Sequence, residues 1–195
     1  MNYLYWKPYS SENERVNTIF PGAFTIDGDS SARGKENLLD SPEPFDHWDP
    51  DNKAIYLHPG SPVTDHLDCY KTRVVSRRLK EFLGEFIGTE AQFLPILLEA
   101  EDASETIRDY FIMHVVATAD YLDLERTDHH PVAGKGPEVI VTPPIVLRRD
   151  KIPPELHVIR DKRLYGNDLI IREDLAKALK KAKFTGLLFA KCQYS

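Results

Sequence analysis

The chain has 195 residues, 42% of them hydrophobic, a length and composition that suit one generous domain or two lobes around a sizeable core. Nine Phe, nine Tyr and two Trp are too many apolar anchors for a disordered tail. With 31 acidic residues against 25 basic ones the net charge is −6, which argues against a protein that coats nucleic acid through its whole surface.

The acidity is unevenly placed. Residues 1–70 hold five Lys and Arg against twelve Asp and Glu, a balance of −7, and the remainder stands at +1. This divides the chain into an acidic, loop-rich region (1–70) and an α+β domain (71–195). The first residues show no basic stretch followed by an apolar one, so no secretory signal is expected. The longest apolar run, Tyr110 to Ala119, is about half of what a membrane-spanning helix needs. Cys69 and Cys192 do not make a disulfide framework, so reduced thiols and a cytoplasmic location are expected.

In chain order, Tyr3 to Trp6 reads as a short strand. Asp27 to Ser31 is turn chemistry, and Ala54 to Leu57 is a second short strand closed by Pro59-Gly60. Val74-Val75 ends a strand, Ser76 is a good N-cap, and Arg77 to Phe86 is an amphipathic helix. Phe93 to Leu98 is a strand in which Pro95 predicts an edge or a bulge. Tyr110 to Val116 is a central strand, and Glu138 to Thr142 and Ile145 to Leu147 flank Pro143-Pro144. Leu169 to Ile171 is a strand and Glu173 to Lys183 a helix that Gly186 stops. Leu187 to Phe189 is the last strand. The fold class is α+β, a mixed sheet with two strand-helix-strand elements packed around it. A shift of 96 residues lays Val74-Val75 on Ile170-Ile171, Leu79 on Leu175, Leu83 on Leu179, Thr89 on Thr185 and Phe93 on Phe189. This is either a structural repeat or a coincidence of amphipathic helices.

Catalytic signatures are scarce. Gly134-Lys-Gly136 lacks phosphate-loop spacing, and neither GxGxxG nor GxSxG occurs. His66 and Cys69 have HxxC spacing, and with His129-His130 they form the alternative of a small metal- or thiol-dependent enzyme. Zinc would need four convergent ligands, and no second pair follows at matching spacing. The expectation is therefore no catalytic residues, no cofactor and no metal. What remains is a protein-binding surface in the acidic third. Phe45, Trp48 and Tyr56 are its candidate anchors and Asp46, Asp49 and Asp51 its negative rim. The plainer alternative is that the aromatics pack on the sheet while the acids solvate the loop.

Four short motifs in order resemble a known family. Val74-Val-Ser-Arg-Arg-Leu-Lys-Glu-Phe-Leu83 and Phe93-Leu-Pro-Ile96 come first. Asp120-Tyr-Leu-Asp-Leu-Glu-Arg-Thr127 follows, with Thr127 where the pattern has Ser. Ile171-Arg-Glu-Asp-Leu-Ala-Lys-Ala-Leu179 with Thr185-Gly-Leu-Leu-Phe189 closes it, and there Arg172 replaces a Ser and loses an N-cap. Over roughly residues 72–190 the chain resembles the bacterial immunity-protein family numbered eleventh among the immunity groups of polymorphic toxin systems. The resemblance implies a protein that neutralises a cognate toxin by binding it, with no catalytic residues of its own. The expected partner is a toxin protein, for instance a cationic nuclease, rather than nucleic acid or a membrane. A regulatory protein-binding module is a further alternative.

Overall fold

The computed structural model describes residues 1–7, 19–21, 42–56, 63–69, 72–134, 136–165 and 168–195. The Asp27 to Ser31 turn and the Pro59-Gly60 stop lie outside them. The first sheet is built from β2 (Ile19–Pro21), β3 (Lys53–Tyr56), β4 (His66–Cys69), β5 (Thr72–Ser76), β6 (Ala91–Ala100) and β7 (Thr106–Val115). Its order is β2-β3-β6-β7-β5-β4, and β3 runs parallel to β6, so the sheet is mixed. Helix α1 (Arg77–Gly84) connects β5 to β6. The second sheet is antiparallel throughout. It combines β1 (Tyr3–Lys7), β11 (Val158–Arg160), β12 (Leu169–Arg172) and β13 (Leu188–Lys191) in the order β11-β12-β1-β13. Helix α2 (Glu173–Lys181) connects β12 to β13. Two smaller pairings complete the α+β fold: β8 (His129–Pro131) with β9 (Val139–Val141), and β10 (Val146–Leu147) with β14 (Gln193–Tyr194).

The helices form where the apolar spacing and the caps place them. Ser76 Oγ accepts the Leu79 N–H at 3.2 Å and starts α1, and Leu79 and Leu83 are buried beneath it. Arg172 cannot cap α2, and the Leu175 N–H turns to the Asp174 carboxylate at 2.9 Å. The helix ends at Lys181, two residues before Lys183 takes a left-handed φ of 55°. Gly186 therefore does not stop α2. Pro95 lies in an interior strand, yet β3 joins β6 only from Leu97 onward. The missing proline N–H thus falls where that ladder has not begun, and a register irregularity follows between Ile96 and Leu98.

The 96-residue shift is a true structural repeat. In the first copy β5 and β6 lie parallel with β7 between them; in the second, β12 and β13 flank β1 in the same way. The registers coincide. Ile112 pairs with both Val74 and Leu94, and Tyr5 pairs with their counterparts Ile170 and Ala190. The correspondence runs past the irregularity of β6, which falls at the break between β13 and β14. Beyond it, β3 lies parallel to β6 and β10 parallel to β14, with Lys53↔Leu97 matched by Val146↔Gln193. The hydrogen bond from Leu97 N to Asn52 O (2.8 Å) recurs from Gln193 N to Ile145 O (2.9 Å).

The copies pack against one another. Val75, Leu79, Leu83, Phe111 and Met113 share one buried cluster with Trp6, Ile171, Leu175 and Leu179, each large side chain contributing about 1.5–3 kcal/mol. The opposite face of the first sheet is lined by Val74, Leu94, Ile96 and Ile112. That of the second is lined by Tyr3, Tyr5, Ile159 and Ile170, packed under Tyr121, Leu122 and Ile145. Among the described residues no helix is long and apolar enough to cross a membrane.

Candidate partner-binding surface

The segment leading into β3 is pinned to the first sheet by polar and aromatic contacts. Gln92 clasps the Phe45 backbone, accepting its N–H at 2.9 Å and donating to its carbonyl at 2.7 Å. The Phe45 ring lies 4.9 Å from the buried His114 ring and 5.7 Å from Trp48. His114 Nε2 is 2.8 Å from Glu43 O. Trp48 Nε1 donates to Pro95 O at 2.7 Å. Both aromatics are half-buried and pack on the Leu94–Ile112 face.

The acids point the other way. Asp46, Asp49 and Asp51 are exposed. Asp49 Oδ1 accepts the Asp51 N–H at 2.9 Å, and Asp49 O accepts the Asn52 N–H at 3.1 Å, so the tip is a defined turn. Asp51 lies 3.7 Å from Arg108, but both are so exposed that the pair contributes little. Tyr56 joins β3, opposite Ile19 on one side and Ala100 on the other; its side chain is outside the described residues. The structure thus brings Phe45, Asp46, Trp48, Asp49 and Asp51 together on one ordered tip.

Two residues of the metal or thiol alternative, His66 and His129, have other occupations. His66 is fully buried, and its Nδ1 lies 2.9 Å from Gly186 O. A carbonyl only accepts, so Nδ1 carries the proton and Nε2 presents its lone pair to Arg73 Nη1 at 3.4 Å. Burial, with Arg73 beside it, pushes the His66 pKa down to about 3 against the opposing pull of the Gly186 bond. Arg73, itself buried, donates to Trp6 O at 2.6 Å. Cys69 sits opposite Thr72 in β4, and its side chain is outside the described residues. His129 Nδ1 is 2.9 Å from Thr127 O. Cys192 is a free thiol whose pKa burial raises to about 12, far from a reactive thiolate. Among the described residues no three His, Cys, Asp or Glu side chains converge as metal ligands.

Two sites that the sequence left unnoticed tie the copies together. Asp65 takes Arg78 Nη2 at 2.7 Å, Ser76 Oγ at 2.9 Å, and Thr185 N and Oγ1 at 3.0 Å each. Burial raises its pKa, but these bonds outweigh burial and hold it at about 2. The adjoining Gly186, at φ +76°, sits so close to β4 that a Cβ would lie 2.2 Å from His66 O. Glu90 is the second site. Its carboxylate accepts the N–H groups of His157 and Val158 at 2.8 Å each and meets His157 Nδ1 at 3.1 Å. His157 in turn contacts Arg172, which binds Asp174.

The motif residues are structural. Thr127 Oγ1 accepts the Val146 N–H at 3.0 Å and holds β10, a role that needs a hydroxyl and not specifically Ser. Asp123 accepts the Thr127 and Glu125 N–H groups within its turn, and Asp120 O accepts Arg148. No curated protein matches the chain. A family profile does, over residues 14–194, so the match takes in most of the acidic third that the motifs leave out. On that span, which is nearly the whole chain, the protein belongs to the Immunity protein family (Imm11).

Proposed function

We propose that this protein neutralises a cognate bacterial toxin in the cytoplasm by binding a cationic domain of it, for instance a nuclease with a basic substrate channel, and that it catalyses no reaction itself. Family membership supports the immunity role. The observation that carries the surface is the direction of the side chains at the tip of residues 45–51. Its aromatics are held on the sheet while Asp46, Asp49 and Asp51 face outward. Such a tip is preorganised, so little ordering entropy is lost when a partner docks. Phe45 and Trp48 complete the proposed contact with their remaining exposed surface, and Tyr56 is the third proposed anchor.

Clustered like charges on a rigid tip act mainly on encounter. Association with the toxin encoded by the adjacent upstream gene should be fast at low salt and slow as salt rises. The variant Asp46→Lys/Asp49→Lys/Asp51→Lys should lower the association rate constant by about 10- to 100-fold at low salt, with a much smaller effect on dissociation. Stopped-flow kinetics reads this directly. An association rate unchanged by the triple reversal would reject the acidic tip, and absence of binding to the toxin would reject the immunity reading for this pair.

A further inference from the structure

Among the described residues, the internal repeat leaves a strand edge covered in the first copy and open in the second. In the first copy, Gln92 and Pro95 of β6 hold the Phe45–Trp48 segment ahead of the point where β3 joins. The matching stretch of the second copy is β13, with Leu188 at the position of Gln92 and Lys191 at that of Pro95. β13 is the end strand of its sheet, and among the described residues nothing is bonded along its outer side. Leu188 is 38% exposed there. Beside this edge a groove of about 240 Å³ runs between α2 and the sheet. Leu4, Ala176 and Phe189 line it, with Lys177, Lys180 and Lys191 around them. Lys177 is matched by Glu173 at 2.9 Å. Lys180 lies over the Phe189 ring at 5.6 Å, and among the described residues neither it nor Lys191 forms a close ion pair, although Glu173, which also lines the groove, attracts Lys191 at longer range.

We propose that β13 is a strand-addition site, which takes an extended, carboxylate-bearing segment of the toxin along its free edge. The free backbone groups supply main-chain hydrogen bonds, and alternate side chains of the added strand fall into the groove. Lysines at an edge discourage pairing with a second copy, whose own lysines would face them, and favour an acidic strand. That the occupant belongs to the toxin rests on the immunity reading above; the open edge and its charge do not.

The test is hydrogen exchange of the full chain alone and with the adjacent-gene toxin, together with equilibrium binding of Lys180→Glu/Lys191→Glu. Both substitutions are at the surface, and an unchanged urea midpoint verifies the fold. The expected result is slower exchange at residues 188–191 in the complex, and a dissociation constant raised at least about tenfold in the variant. Toxin binding with unchanged exchange at 188–191 and unchanged affinity in the variant would overturn this proposal and leave the immunity role standing. Failure of the wild type to bind the toxin would remove the immunity reading and this occupant with it. Protection of 188–191 in the chain alone, at concentrations where it dimerises, would assign the edge to a second copy instead.

Discussion

Substitution of Gly186 by Ala separates two costs that a glycine can hide. Gly186 (φ +76°) and Gly134 (φ +75°) have nearly the same left-handed φ, but a Cβ at Gly134 would meet nothing within 4 Å. Gly134→Ala therefore measures the left-handed backbone penalty alone, about 1–2 kcal/mol. Gly186→Ala adds contacts at 2.2 Å to His66 O and 2.7 Å to Thr64 Oγ1. The carbonyl is backbone and cannot swing away. Moving β4 aside would break the His66 N to Thr185 O bond (3.2 Å) and the His66 Nδ1 contact to Gly186 O (2.9 Å). Forced overpacking of this kind costs about 1–3 kcal/mol, and a lost backbone bond about 1 kcal/mol more, so the total is about 3–6 kcal/mol. Urea unfolding of both variants, compared at constant m, gives the difference. If Gly186→Ala destabilises by no more than about 0.5 kcal/mol beyond Gly134→Ala, the close approach of the second copy to β4 is not the constraint inferred from the geometry.

Three further outcomes are expected. Because His66 titrates near 3 in the folded protein and near 6.5 when unfolded, only the unfolded state takes up its proton below pH 6.5. Stability should therefore fall as pH drops from 6.5 toward 3, by up to about 1.4 kcal/mol per pH unit, and His66→Gln should flatten that slope between pH 6 and 4.5; equal slopes would refute the assignment. Asp65 works in a lower window, from 3.8 down to about 2, so Asp65→Asn should lower stability above pH 4 by about 1–2 kcal/mol after allowance for solvent screening and lose the steepening below pH 4, as chemical denaturation across pH can show. Trp48→Phe keeps an aromatic side chain but replaces the indole by a smaller phenyl ring and deletes the donor to Pro95 O, which should cost about 1–2 kcal/mol and speed exchange of amides 43–51 while leaving α1 and α2 unaffected.

The helices and the long strands were legible because their signals are local. Leu79 and Leu83, and Leu175 and Leu179, repeat at helical spacing, and both pairs are buried. The strands β2, β4, β8, β11 and β14 carry no such signal. They have only two to four residues, and segments such as His66–Cys69 and Gln193–Tyr194 show no alternation that separates them from loop. Nothing in Tyr3–Lys7 says that it fills the slot between β12 and β13, because strand order is a long-range property. At the candidate site, composition identified the aromatic and acidic residues but not their directions. Those are set by Gln92, Pro95 and His114 on other strands. Asp65 had no sequence signal, since Ser76, Arg78 and Thr185 meet it only after both copies have folded.

The middle strands of the two copies come from very different distances along the chain. β7 follows β6 across a short turn, so the first copy can assemble from one continuous stretch of about forty residues. β1 belongs to the opposite end of the sequence from its partners β12 and β13, and Tyr3 N is bonded to Tyr194 OH at 2.5 Å. Closing the second copy therefore requires the two extremities of this sequence to meet. During synthesis Tyr3–Lys7 must wait for residues 169–191 to leave the ribosome, with Trp6 uncovered in the meantime. The first copy can serve as a template during that interval, since it already presents the apolar surface on which Trp6 and α2 will settle. Loss of only residues 3–7 should then leave a half-formed protein, with the first copy folded and the second lacking the strand that joins its two sides.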